Sequence, residues 1–249
     1  MGDNSILPLS SICRNVFTLE TLRIFGLSDL MRLLDCLFQK NPKLAHFALA
    51  YCSNLTNVAS RLSGNASSLK ILEIERSIVV CTSLESLLVK YCDELVDFLM
   101  DLQKLPSLMC LMIHRCPKLD MVPRGLCGLT RLSQLDLGYF LEFGSFQIIF
   151  NGIEQNLSSF YKLELFGCSD WDSLPDQLQY LTFLKQLSIN DFGVETLLNW
   201  LGNIFSLETL RLFNCEKLHQ LPSLEAMRDM IKLKEFTMTN CPLLQASCI

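Results

Sequence analysis

Charged side chains make up only 19% of the 249 residues, histidine occurs three times and tryptophan twice. The charge present sums to −5, with a pI near 5.3. No basic field is therefore available to hold a nucleic-acid backbone or an anionic lipid surface. Long apolar runs are missing too. Leu108-Met109-Cys110-Leu111-Met112-Ile113 stops at His114-Arg115, far short of the roughly 18 residues of a membrane helix. Met1–Leu7 has no basic stretch leading into an apolar one, so no signal peptide is expected. The 11 glycines form no G-x-x-x-x-G-K-[ST] phosphate loop. None of His46, His114 and His219 accompanies a Ser or Cys nucleophile motif. The expectation is a non-enzymatic chain with no metal and no cofactor of its own.

Cysteine is plentiful, at 12 residues, but contains no C-x-x-C pair and is too dilute for a small disulfide-stapled domain. Three N-x-[ST] sequons, at Asn54, Asn65 and Asn156, are about what chance supplies, and they matter only in a secreted protein. Reduced thiols in a cytoplasmic chain are the expectation.

The excess is in leucine: 51 residues, and their spacing repeats. The unit L-x-x-L-x-L-x-x-C-x-x-L is clear at Leu84–Leu95, Leu108–Leu119, Leu207–Leu218 and Leu233–Leu244, with conservative swaps. Altered copies begin at Leu19, Leu44, Leu69, Leu132, Phe160 and Leu184. Ten strands are expected, near 19–24, 44–49, 69–74, 84–89, 108–113, 132–137, 160–165, 184–189, 207–212 and 233–238. The second apolar residue of each copy steps along the chain by 23–28 residues, except for one step of 15 from Leu72 to Leu87. That is the period of a leucine-rich repeat.

A single unit cannot bury its own apolar face, so units stack and their strands join in one parallel sheet. The fold expected is an α/β solenoid, a leucine-rich-repeat horseshoe of about ten coils forming one domain over 1–249. The sheet lines the concave face, and helices and irregular turns form the convex face. Unit positions 1, 4 and 6 point into the core, and positions 2, 3, 5, 7 and 8 look outward. Asp29–Gln39 and Glu195–Phe205 read as convex-side helices. Pro106, Pro123, Pro175 and Pro222 fall in return segments, where proline costs no ladder donor. The 15-residue step is too short for a full coil, so a compressed or kinked turn is expected over Glu75–Ser83.

Cys52, Cys92, Cys116, Cys168, Cys215 and Cys241 share one unit position and lie one per coil. Zinc needs its ligands converging tetrahedrally on one point, so a ladder of buried structural thiols is expected instead. The concave face is the informative surface. Position 8 presents Tyr51, Arg76, Tyr91, Arg115 and Tyr139 over five successive copies, a composition enriched at protein-binding hot spots. With Lys90, His114, Phe166, Arg211 and Phe213 from neighbouring outward positions, these form the candidate protein-binding set. Outward charges are of mixed sign, which suits a protein partner better than nucleic acid.

Some details go beyond a generic repeat: Trp200-Leu201-Gly202-Asn203-Ile204-Phe205-Ser206-Leu207-Glu208-Thr209-Leu210, then Leu218-x-x-Leu221-Pro222, then Ala226-Met227-x-x-Met230-x-Lys232-Leu233-Lys234, and Asn240-Cys241-Pro242-Leu243-Leu244. Together these resemble the C-terminal repeats of plant nucleotide-binding leucine-rich-repeat disease-resistance proteins of the coiled-coil class. The resemblance covers essentially the whole chain. It implies an intracellular immune receptor whose repeats sense pathogen effectors or guarded host proteins and restrain an ADP/ATP switch. Any ADP or ATP would belong to an adjoining nucleotide-binding domain, which this sequence does not contain. The alternative is a stand-alone adaptor such as a ubiquitin-ligase substrate-recognition protein, whose repeats also carry cysteine. A secreted inhibitor of pathogen hydrolases would call for a signal peptide and Gly-x-Ile-Pro turns, and neither is present.

Overall fold

The structure, a computed structural model, describes residues 16–28, 30, 41, 43–55, 84–96, 102–119, 125–139, 150 and 159–246. Nine five-residue strands run through them: β1 (Thr21–Phe25), β2 (His46–Ala50), β3 (Ser86–Lys90), β4 (Cys110–His114), β5 (Gln134–Gly138), β6 (Lys162–Phe166), β7 (Gln186–Asn190), β8 (Thr209–Phe213) and β9 (Glu235–Thr239). They form one parallel sheet in which each strand pairs with the next in chain order.

The register follows the leucines. Leu22, Phe47, Leu87, Leu111, Leu135, Leu163, Leu187, Leu210 and Phe236 lie side by side across the sheet. Ile24, Leu49, Val89, Ile113, Leu137, Leu165, Ile189, Leu212 and Met238 form a second row. From β2 to β8 both rows are fully buried, and each such side chain contributes about 2 kcal/mol of apolar transfer energy. Because alternate residues of a strand face opposite ways, the residues between these rows are left on the concave side.

The strands occupy unit positions 3–7, two residues later than the expected start. At position 2 one carbonyl takes two N–H groups of the next coil: Glu85 O accepts from Met109 N at 2.8 Å and Cys110 N at 3.0 Å. The same pair recurs at Glu20, Ala45, Met109, Ser133, Tyr161, Lys185 and Glu208. That corner drops the position-1 leucine into the core before the ladder begins.

The coil count also differs. β2 pairs directly with β3, Phe47 opposite Leu87, so no strand stands between them and the coil expected at 69–74 is not a separate step of the sheet. Residues 69–74, like the turn expected at 75–83 and the helix expected over Asp29–Gln39, lie outside the described residues. The physical reason is length: the 15 residues from Leu72 to Leu87 cannot supply both a strand and its return.

Four of the described return segments are tighter than a helix. Single 3-10 turns occupy Leu102–Lys104, Leu126–Gly128, Asp176–Tyr180 and Asn199–Asn203. The helix expected over Glu195–Phe205 is instead a bridge from Thr196 to Gln220 followed by the last of these turns. The apolar residues recur every third position, as in Leu201, Ile204 and Leu207. The N–H of each bonds the carbonyl three residues back, with Ile204 N to Leu201 O at 3.1 Å and Leu207 N to Ile204 O at 3.0 Å, which is 3-10 geometry. Phe205, whose spacing from Leu197, Leu198 and Leu201 suits the apolar face of a helix, is 54% exposed. The return between β8 and β9 does hold a short α-helix, α1 (Leu224–Asp229), and α2 (Pro242–Ala246) follows β9. Ser223 caps α1, its Oγ accepting from Ala226 N at 3.2 Å.

Candidate protein-binding surface

Eight of the nine strands are followed at unit position 8 by a residue in the left-handed region; Gly167, after β6, is the exception. Tyr51, Tyr91, Arg115, Tyr139, Asp191, Asn214 and Asn240 have φ between 52 and 60°, and Gly26 has 67°. For a residue with a Cβ this costs roughly 1–2 kcal/mol. The position is held because its N–H reaches the next coil: Tyr51 N to Lys90 O at 3.2 Å, Tyr139 N to Phe166 O at 2.9 Å, Asp191 N to Phe213 O at 2.9 Å. The turn sets these side chains along one rim of the concave face, one coil apart.

There they touch in series. The rings of Tyr51 and Tyr91 stack with centroids 4.6 Å apart and planes 8° off parallel. The Arg115 guanidinium lies between two rings, 5.4 Å from the centroid of Tyr91 and 4.6 Å from that of Tyr139, a doubled cation–π contact. Arg115 Nη2 donates to the Tyr139 hydroxyl at 3.3 Å. Tyr139 in turn donates to Asp191 Oδ2, two coils away. Asn214 Nδ2 donates to Asp191 Oδ1 at 3.0 Å, and Asn240 Nδ2 to Asn214 Oδ1 at 2.9 Å.

The skip from Tyr139 to Asp191 passes over Gly167, which has no side chain to join the series. Phe192 replaces cysteine at position 9 of the following coil, and a Cβ on Gly167 would lie 2.6 Å from its ring. At this coil the phenylalanine in the cysteine slot leaves no room for a side chain at position 167. Burial raises the Tyr139 phenol well above its ordinary value, and the Asp191 hydrogen bond adds to the shift.

Of the expected binding residues, Tyr51 (59% exposed) and Arg115 are the open ones. Lys90, Tyr91, Tyr139, Phe166, Arg211 and Phe213 are half-buried, and Arg76 lies outside the described residues. His114 departs from its outward unit position: it is 6% exposed. Its ring stacks on Phe166 at 4.6 Å and meets Tyr91 edge-on at 6.0 Å. Burial, with Lys90 and Arg115 nearby, lowers its pKa from 6.5 to about 3, so it is neutral. Its Nδ1 has no hydrogen-bond partner among the described residues. Arg211 is tied to Glu235 by paired bonds of 3.0 and 3.1 Å, so it faces a carboxylate of its own chain.

Two carboxylates that the sequence did not single out sit at the centre of the face. Asp136 on β5 is in register with Glu164 on β6. Burial raises both pKa values, and Lys162 pulls both back. Their placement was legible in principle, since both hold unit position 5.

The cysteine ladder is present. Cys52, Cys92, Cys116, Cys215 and Cys241 are buried free thiols and Cys168 is half-buried. Each of the five donates to the carbonyl two residues back, at 3.4–3.7 Å. Among the described residues no group of three or more His, Cys, Asp or Glu is arranged to hold a metal ion, and no helix is long and apolar enough to cross a membrane.

No family model matches the chain. Similar solved structures include internalin C2 from Listeria monocytogenes, at 18% identity over 64% of this chain and 73% of that one, with a TM-score of 0.42. Another is TLR13 in its complex with ssRNA13, at 18% identity over 90% of this chain and 36% of that one, TM-score 0.49. A third is the leucine-rich-repeat ectodomain of the receptor kinase GASSHO1/SCHENGEN3 from Arabidopsis thaliana, at 14% identity over 84% and 30%, TM-score 0.29. Nine in-register parallel strands, eight of them followed by a left-handed residue, make this chain a leucine-rich-repeat solenoid.

Proposed function

We propose that the chain is a protein-recognition module of plant defence. In this reading its concave face senses a pathogen effector or a guarded host protein in the cytoplasm, and it restrains a nucleotide-binding switch carried outside this chain. The observation that carries the binding part is the rim: side chains of Tyr51, Tyr91, Arg115 and Tyr139 are held in fixed mutual contact at the open edge of the sheet. Rigid aromatic and arginine side chains lose little entropy on binding, which is why they dominate hot spots. The defence part rests on the resemblance of the terminal repeats to those of disease-resistance proteins.

The test is recovery of partners from plant extract by wild type and by a Tyr91→Ala/Arg115→Ala double variant. Loss of a partner with the double variant supports the concave face, and unchanged recovery sinks that assignment. The adaptor reading draws on the cysteine-bearing coils, and recovery of ubiquitin-ligase subunits in place of a nucleotide-binding protein would favour it.

A further inference from the structure

Charges on the concave face are of mixed sign only when the whole face is averaged. Over β1–β4, the outward strand positions and the left-handed rim carry Arg23, Lys90 and Arg115 and no Asp or Glu. Over β5–β9 the same positions carry Asp136, Glu164, Asp191 and Glu235 against Lys162 and Arg211 alone. Those two cations are already neutralised, Lys162 by Glu164 at 3.8 Å and Arg211 by Glu235 at 2.9 Å. Lys90 and Arg115 have no ion pair among the described residues.

We propose that the β1–β4 half of the concave face binds an acidic polypeptide segment, with Arg115 and Lys90 engaging its carboxylates. This rests on the reading of the concave face as a protein-binding surface. Arg115 is prepared for the task. Its guanidinium is fixed between Tyr91 and Tyr139, and its hydrogen bond to the Tyr139 hydroxyl uses a single N–H, so the remaining donors of the fork can meet a carboxylate. Lys90 stands one coil away on β3, close enough to Arg115 that both act on the same histidine. Between the strands, Leu88 and Met112 are in register and half-buried, an apolar floor that suits a segment carrying an aliphatic residue among its acids. Glu20 and Glu85 stand on the opposite rim, at the strand starts, and would repel an acidic segment from that side. The carboxylates of β5–β9 exclude a long polyanion such as nucleic acid, which would have to cross them, and so favour a short acidic stretch whose flank is basic or neutral.

The experiment is selection of a displayed random dodecapeptide library on the full chain, followed by measurement of each clone against three proteins. These are wild type, Arg115→Gln/Lys90→Gln, and Arg228→Gln, the last removing a cation on α1 away from the sheet. Clones are first sorted with a Tyr51→Ala/Tyr91→Ala variant; those it weakens bind the concave rim. The expected result is that rim-dependent clones are enriched in Asp and Glu. They should weaken at least tenfold with Arg115→Gln/Lys90→Gln, hold their affinity with Arg228→Gln, and bind less tightly as salt rises. Rim-dependent clones without acidic enrichment, or with affinity unchanged by the double charge variant, overturn the proposal while leaving the concave surface standing. Clones that all ignore the tyrosine variant overturn the surface itself. Thermal midpoints matching wild type confirm that each variant is folded.

Discussion

His114 and Phe166 stack with ring centroids 4.6 Å apart although a whole strand separates them. The residue between them in register is Gly138, paired with His114 on one side and Phe166 on the other. Without a side chain there, the two rings close over the gap. One coil further on, the rim does the same: Tyr139 passes over Gly167 to reach Asp191. Two glycines in adjacent coils therefore let the centre of the face bind across two coils instead of one.

Gly138 should tolerate no side chain. Its φ is 145°, and an added Cβ would lie 1.8 Å from the carbonyl oxygen of Phe166. Gly138→Ala is expected to cost about 3 kcal/mol or more, because backbone has to move. Gly26→Ala meets nothing within 4 Å at φ 67° and should cost only about 1 kcal/mol. Urea unfolding of the two variants checks the order, and equal losses would refute it.

Stability should fall with acid through His114. Its folded pKa, about 3, lies below the unfolded value, so the unfolded chain takes up the proton first. Native stability is then lost as pH drops from about 6.5 toward 3. Asp136 and Glu164 act in the opposite sense, since their raised folded pKa values favour the native state as they protonate. Comparing wild type with His114→Phe isolates the histidine. Between pH 7 and pH 5 the wild type should lose more stability than the variant, and parallel curves would contradict the assignment.

Two of the ladder thiols, Cys116 and Cys215, should be inert. Burial pushes Cys215 up to about 12, and Cys116 is raised by its hydrogen bond with Cys92 and by burial. Neither forms thiolate near neutral pH. Iodoacetamide on the native chain should therefore leave Cys116 and Cys215 unmodified, while half-exposed Cys127 reacts. Mass spectrometry before and after denaturation reads the difference, and native-state labelling of Cys215 would show that the solenoid opens there.

Tyr139 should ionise late because of its burial and its bond to Asp191. Absorbance titration of Asp191→Asn, which removes the negative charge, should show the highest-pH phenol phase shifted down. Tyr139→Phe should abolish that phase. A titration unaltered in both variants would remove Tyr139 from the series.

Much of this was legible because the core rows are a matter of spacing. Leu87, Leu111, Leu135 and their partners could be aligned from the repeat alone, and the register followed. The strand starts were not legible, because the corner at position 2 depends on a carbonyl shared by two donors, and any residue type supplies one. The return over Glu195–Phe205 was misjudged because two apolar spacings compete there. Leu197, Leu198, Leu201 and Phe205 suit an α-helix, while the three-residue period of Leu201, Ile204 and Leu207 decided the outcome. His114 holds an outward position by count, and only the small neighbour Gly138 reveals that it is covered. The charge division does not show in the composition of the face, because the cations of β1–β4 and the carboxylates of β5–β9 offset one another in the total.

The bonds that reach across two coils give the molecule a mechanical profile. Stacked repeats ordinarily hold only their nearest neighbours. Here Tyr139–Asp191 and His114–Phe166 skip a coil, and Lys217 Nζ reaches Ser169 O at 2.8 Å in the same manner. All three spans lie between β4 and the turn after β8. Stretched from its ends, the spring would uncoil from its outer turns and stiffen as the front reached this stretch, which would be the last length to give way.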